Sequence, residues 1–431
     1  MNKNISLIML LCLAISLFAN GMQEEIDRLS ESVYRADSQL GFSIEIAGKD
    51  DNYSLSVPAQ ALYFTPLEVN KDVLSSNSLA LTIQGKLPGK AVFNQRGYQE
   101  ELDFKTVSRN KEEYYSRAQE KVRPERIEEE VELTLRDNSI LSGTLTKPIE
   151  NEKNSLIIFI SGSGSQDRDS YIANHKPFQV LSDYLITLGY PTLRFDDRGV
   201  GKSTTTKYDF TTYDLADDVI EEVNYVSSLG YEVILMGHSE GAIIAAIVSS
   251  KLDNIKATIL LAPPAVEGKT ILADQNKTAY KALGLNDDVV NTIISILDLA
   301  YDAIIKCEDE KALEYLNMVN PSTSSITLSS LSHPWYRAFL ALDPKEYISN
   351  IKCPCLALIG TNDKQVSLEI NKDRLEEALK MSKIEYKTAY PEGVNHILQY
   401  SQTGDVSEYG IIDETVNENV LIEIKEFLCT I

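Results

Sequence analysis

The residues with the most chemical content form the pentapeptide Gly237-His238-Ser239-Glu240-Gly241. This GxSxG pattern lies between the apolar run YEVILM and the helix-forming run AIIAAIVSSKL. An apolar strand, a five-residue turn and a helix rich in small residues make the context of a nucleophile elbow, which lifts a serine hydroxyl above the edge of a sheet. GxSxG alone is weak evidence, and it is the flanking strand and helix that give it weight. Glycine at both ends has a steric reason, because side chains there would collide with the neighbouring strand and helix. The backbone N–H of Glu240, at the helix N-terminus, is free to stabilise an oxyanion.

A serine hydroxyl is a poor nucleophile until a base takes its proton, so a histidine must reach Ser239. The chain has 4 histidines. His238 adjoins the serine and is expected to project away from it as a packed or hydrogen-bonded support. His175 lies before the nucleophile strand, and His333 lies in a long helical stretch before Pro334-Trp335. That leaves His396, in PEGVNHILQ after the last predicted strand, as the base. The acid belongs at the end of the penultimate strand, where IGTNDKQV supplies Asp363, with Glu267 as runner-up. The order serine, acid, histidine agrees with this assignment.

A second oxyanion donor is expected from the loop after SLIIFI, which reads Ser161-Gly162-Ser163-Gly164-Ser165. The Ser163 N–H is the choice there, with glycine neighbours that allow close approach. RFDDRGVGKS superficially suggests a phosphate-binding loop, but Asp196 stands where that motif needs glycine. Asp196, Asp197 and Arg198 are read instead as ionic and hydrogen-bonded supports beneath the active-site loops. None of this chemistry calls for a cofactor or a metal.

Positioning such residues requires a sheet. From about residue 123 onward, EEEVELTLR, ILSGTLTKP, SLIIFISG, YPTLRFDD, YEVILMGHS, KATILLAPP, CLALIGTND and EYKTAYPEG read as strands alternating with helices. That pattern gives an α/β domain over 123–431, a mainly parallel sheet covered on both faces. Eight strands is the number expected of an α/β-hydrolase fold. A helical insertion from about 264 to 343 interrupts the alternation as a cap would. Before it, GFSIEIAG, NSLALTIQG, KAVFNQRG and QEELDFKTVSR alternate with period two, indicating a small N-terminal β domain. NKEEYYSRAQEKVRPER reads as a helix and linker, so the β domain and linker span 22–122. Cap and β domain together are expected to roof the pocket.

Composition narrows the partners. With 64 acidic against 41 basic residues the net charge is -23, which repels nucleic-acid phosphates and anionic lipid and favours a neutral small-molecule substrate. Residues 1–21 carry the apolar run ISLIMLLCLAISLF between MNKNIS and small residues, the pattern of a signal peptide, so export to the periplasm or medium is expected. The run, at about 14 residues, is shorter than the roughly 20 of a spanning helix. Cys12 lies inside it, away from a lipoprotein-type position. Cys307, Cys353, Cys355 and Cys429 are too scattered to staple a secreted fold, and Cys353-Pro354-Cys355 lacks metal-ligand spacing.

SGSGSQDRDSYIANHKPF, then LRFDDRGVGKS, then GHSEG, in that order, resemble a subgroup of two-domain bacterial α/β-hydrolase esterases, the EstD-type carboxylesterases. PWYRAFLALDP and LSVPAQALYFTPLEV extend the likeness over most of the chain. Ala242, in place of a further glycine, and Ser165, where proline is commoner, are departures that leave the chemistry untouched. The resemblance implies a carboxylesterase acting on short acyl esters through Ser239, Asp363 and His396. Serine aminopeptidases and acyl thioesterases or acyltransferases share the fold class, and a binding protein without catalysis is the non-enzyme alternative.

Overall fold

The computed structural model describes residues 33–37, 43–49, 52–57, 62–71, 73–76, 81–95, 98–107 and 117–431. The segment read as a leader, 1–21, lies outside the described residues. Among those residues no helix is long and apolar enough to cross a membrane.

Eight strands come first: β1 (Val33–Asp37), β2 (Ser43–Lys49), β3 (Asn52–Val57), β4 (Leu62–Asn70), β5 (Val73–Ser76), β6 (Leu81–Gly85), β7 (Gly89–Gln95) and β8 (Tyr98–Val107). They pair antiparallel in sequence order, and β1 pairs with β8 to close a barrel. Period-two alternation dictates its core, with Ile44, Ile46, Leu55, Leu81, Ile83, Phe93 and Phe104 pointing inward. The short helix α1 (Ala118–Lys121) follows.

The second body is an eight-stranded sheet built from β9 (Arg126–Thr134), β10 (Ile140–Pro148), β11 (Ser155–Ile160), β12 (Thr192–Phe195), β13 (Glu232–His238), β14 (Ile255–Leu261), β15 (Cys355–Leu358) and β16 (Tyr386–Ala389). Its order is β16-β15-β14-β13-β11-β12-β10-β9, with the β9 and β10 pairings antiparallel and the rest parallel. Each of the eight strand sequences predicted above supplies one of these strands. All six residues of β11 are buried, as a strand covered on both faces must be. Leu156, Ile158 and Ile160 enter the core on one face, while Ile157 and Phe159 enter the core on the other.

Helices α2 (Pro177–Thr187), α3 (Thr212–Ser228) and α4 (Glu240–Lys251) follow β11, β12 and β13. Between β14 and β15 come α5 (Gly268–Ala282), α6 (Asp287–Ile305), α7 (Asp309–Val319), α8 (Ser324–Leu331), α9 (Pro334–Ala341) and the short α10 (Pro344–Ile348). Helices α11 (Leu368–Ser382) and α12 (Glu418–Leu428) complete the chain. Residues of α3, α4 and α11 share one core with the insertion, and those of α2 and α12 form the other.

The segment after β12 is a hub of buried charge. Arg198, 8% exposed, bonds Asp218 on α3, Asp137 and Ser139. Asp196 accepts from the Arg168 backbone and guanidinium and from the Lys202 N–H. The Gly201-Lys202-Ser203 turn is therefore folded onto Asp196 and serves as support, as the sequence indicated. Removing Asp218 leaves the buried Nε and Nη2 of Arg198 unpaired, so Asp218→Ala should cost about 3 kcal/mol of unfolding free energy. Chemical denaturation of the variant checks this.

Candidate active site

Ser239 sits between β13 and α4 at φ 56 and ψ -120, a conformation that costs a non-glycine residue free energy. Packing enforces it. A Cβ on Gly237 would lie 2.0 Å from the Gly241 carbonyl oxygen, and one on Gly241 would lie 2.2 Å from that of Ile160. The Ser239 N–H donates to Leu261 O at 2.8 Å, and its carbonyl accepts from the Ala242 N–H at 2.9 Å. The hydroxyl is thereby held above the C-terminal edge of the parallel strands, where α/β sheets place their ligands.

His396 Nε2 lies 3.1 Å from Ser239 Oγ, and its Nδ1 lies 2.8 Å from Asp363 Oδ2. The other carboxylate oxygen of Asp363 accepts from the Gln365 and Val366 N–H groups at 2.9 and 2.8 Å, which fixes the carboxylate plane. Asp363 and His396 are 3% and 5% exposed, so their interaction is poorly screened by water. The structure brings together the three residues chosen from sequence. Glu267 instead stands at the N-terminus of α5, where its carbonyl accepts from Thr270 and Ile271. His333 caps α9 by accepting from the Trp335 N–H.

His238 is a packed, hydrogen-bonded support, as read from the sequence, and what it supports is His396. Its ring centroid is 4.9 Å from that of His396, and its Nε2 is 2.8 Å from the His396 carbonyl oxygen. A carbonyl only accepts, so Nε2 carries the proton and donates. Burial, with the neighbouring His396, lowers the His238 pKa to about 4, keeping the ring neutral. His238 thus braces the backbone of His396, a contact visible only once residues far apart in sequence meet.

Two backbone amides belong to the proposed oxyanion site. Glu240 opens α4, so no carbonyl precedes its N–H by a helical turn. The Ser163 carbonyl is held by Gln166 Nε2 at 3.2 Å, and Gln166 Oε1 accepts from Ser170 Oγ at 2.6 Å. Behind this loop, Asp197 accepts from Ser161 Oγ at 2.7 Å and from the Gln166 N–H at 2.8 Å. Burial pushes the Asp197 carboxyl up to about 7. The Glu240 side chain, 1% exposed, accepts from Thr212 Oγ1 and from Trp335 Nε1 of the insertion, and burial raises its pKa.

Ser239, Ser163, Glu240 and His396 open onto one cavity of about 550 Å³. Much of its wall is apolar: Ile271, Leu272 and Ala279 of α5, Trp335 and Phe339 of α9, and Ile397 and Leu398 beside His396. The helical insertion does roof the site. Among the described residues the cavity lining runs from Gly162 to Val406 and includes none from β1–β8, so the expected share of the barrel in the roof finds no support there.

The chain was compared with known proteins. It is 25% identical over 235 residues to Esterase EstD of Thermotoga maritima, a match covering 53% of this chain and 51% of that protein, so it spans about half the length of this relative. Among solved structures, an esterase of Pyrococcus furiosus aligns over 71% of this chain and 91% of its own at 17% identity and a TM-score of 0.45. Est1E of Butyrivibrio proteoclasticus, solved with ferulic acid, aligns over 70% of this chain and 98% of its own at 18% identity and a TM-score of 0.41. The Hydrolase_4 family, described as serine aminopeptidase S33, matches residues 171–398, a span that runs from just before α2 past His396 and takes in Ser239 and Asp363. With more than half of the sequence inside that match, the chain belongs to the Hydrolase_4 family of α/β-hydrolases.

Proposed function

We propose that the chain is a carboxylesterase-type serine hydrolase that cleaves short acyl esters through an acyl-enzyme on Ser239. The carrying observation is the continuous bond chain Asp363–His396–Ser239 at the mouth of a largely apolar cavity. In this reading His396 Nε2 takes the Ser239 proton as Oγ attacks the ester carbonyl. Asp363 holds the ring in the tautomer that leaves Nε2 free to accept, and then steadies the imidazolium. The Ser163 and Glu240 amides receive the oxyanion, collapse releases the alcohol with the proton returned by His396, and water repeats the sequence to free the acid.

The family description brings the aminopeptidase reading forward, and that activity needs an ionised acid to hold an α-amino group. Of the carboxyls lining the cavity, Glu240 has its pKa raised by burial, and Asp405 accepts through Oδ1 from the N–H and Oγ of Ser407. The largely apolar lining, with Lys364 beside it, supports a neutral acyl group over a cationic one. The leader reading extends the proposal to export, with residues 1–21 removed from the mature protein.

A panel of p-nitrophenyl esters and aminoacyl anilides separates the activities. Esters should turn over and anilides should not. Each methylene from acetyl to butyryl should raise kcat/KM close to fourfold, from about 0.8 kcal/mol per buried methylene. Efficient anilide cleavage would transfer the proposal to the aminopeptidases.

Ser239→Ala and His396→Ala should each lower kcat by several orders of magnitude, and Asp363→Asn by about ten-thousandfold through the wrong tautomer. All three should remain folded, as checked by circular dichroism beside steady-state kinetics.

His238 gives a separate pair of outcomes. His238→Gln can still donate to the His396 carbonyl and should stay within about tenfold of the parent in kcat, whereas His238→Ala should fall further. Because the folded pKa of about 4 lies below the ordinary 6.5, the unfolded chain binds the proton more tightly. The His238 contribution to stability is thus whole above pH 6.5 and is lost as pH falls toward 4. A His238→Gln melting series should show a shallower loss of Tm across that window.

A further inference from the structure

Behind the base runs a line of polar groups that the reaction does not use. It starts at α1, just ahead of the sheet domain. Gln119 Oε1 accepts from the Thr415 and Val416 N–H groups, and its Nε2 donates to Val416 O at 2.8 Å. Glu120 Oε1 accepts from the Lys176 N–H at 2.9 Å and from Thr415 Oγ1 at 3.1 Å. Thr415 Oγ1 is also hydrogen-bonded to His175 Nδ1, 2.8 Å away. Burial lowers the His175 pKa to about 3, so the ring is neutral, and its Nε2 lies 2.9 Å from Gln399 Nε2 and 3.0 Å from the Tyr409 carbonyl oxygen.

Gln399 closes the line on the turn that carries His396. Its Oε1 accepts from Asn395 Nδ2 at 3.0 Å and its N–H donates to Asn395 Oδ1 at 3.0 Å. The Asn395 N–H returns a bond to Gln399 O at 2.8 Å, and Asn395 Oδ1 also accepts from the Ile397 N–H. Glu120, Thr415, His175, Gln399 and Asn395 are all at most 5% exposed. A fully bonded polar network in so dry a place holds its members rigidly, because any displaced group would lie buried and unpaired. The same strap, 403–416, also delivers Asp405 and Val406 to the cavity wall, and Arg117 donates to its Gly410 carbonyl.

We propose that residues 117–120, outside the sheet domain, position the general base: through Thr415, His175 and Gln399 they fix the 395–399 turn and so the reach of His396 to Ser239. This rests on His396 being the base. The segment joining the barrel to the sheet then has a catalytic consequence although no described barrel residue touches the pocket. A truncation that begins at Lys121 removes Gln119 and Glu120 and leaves the turn without its brace.

The full-length chain tests this with Glu120→Ala, Glu120→Gln, Thr415→Val and Thr415→Ser, beside Val226→Ala in α3 as a packing control. Misplacing a reacting group by about 1 Å costs about a hundredfold, so Glu120→Ala and Thr415→Val should lower kcat between about tenfold and a hundredfold with KM within about twofold. Glu120→Gln, which still accepts, and Thr415→Ser, which keeps the hydroxyl, should restore kcat. The downfield proton resonance of His396 Nδ1–H should weaken in the first pair and return in the second. Val226→Ala should lower Tm and leave kcat alone. The proposal is overturned if folded Thr415→Val keeps the parental kcat and resonance, or if Val226→Ala loses as much kcat at an equal loss of Tm. Undiminished turnover in His396→Ala would instead refute the base assignment itself.

Discussion

The contact on which the site depends is between backbones. Gly241 at the start of α4 packs directly onto the carbonyls of Ile160 and Ser161, close enough that a Cβ would lie 2.2 Å and 2.4 Å from them. That approach leaves the chain between β13 and α4 too little room for an ordinary turn, so Ser239 adopts φ 56. Strain of this kind costs about 1–3 kcal/mol and persists only where the surroundings over-determine it. Here they do so through the fully buried strand β11, the buried middle of β13 and the helix α4, almost all of whose side chains are enclosed. The same approach places the Ser161–Ser163 loop beside the N-terminus of α4, so one packing decision sets both the proposed nucleophile and the proposed oxyanion donors.

Around that contact, polar groups are arranged so that little has to move. Asp363 is fixed by two backbone amides, His396 by Asp363 on its ring and by His238 on its carbonyl, and the Ser161–Ser163 loop by Asp197 and Gln166. Such preorganisation in a site of low exposure stabilises charge without reorganisation at the moment of reaction. Trp335 ties the insertion to Glu240, the residue whose amide is a proposed oxyanion donor, so roof and catalytic floor share a side chain.

The sheet and the three residues of the bond chain were readable in the sequence because their signals are local. SLIIFI is uniformly apolar, GHSEG needs its glycines at fixed offsets, and IGTND and PEGVNH end strands where a functional loop must begin. The barrel was half legible. SIEIAGK and KAVFNQ alternate cleanly, whereas VYRAD and VLSS are too short to carry a period, and they become strands only because their neighbours pair with them. The charged linker read as a helix through to about Pro124, but helix is found only over Ala118–Lys121, and 108–116 lie outside the described residues. His238 bracing His396, and His175 bridging Thr415 and Gln399, were not readable at all, since each joins residues more than 150 positions apart.

The central claim is that the constrained turn makes Ser239 a nucleophile. Treating the intact chain with a small fluorophosphonate and mapping the adduct by peptide mass spectrometry tests it without assuming a substrate. The account predicts one stoichiometric adduct, on Ser239, formed rapidly in the parent chain and orders of magnitude more slowly when His396 is replaced by alanine. An adduct on another residue, or labelling of Ser239 at the same rate without His396, would contradict it.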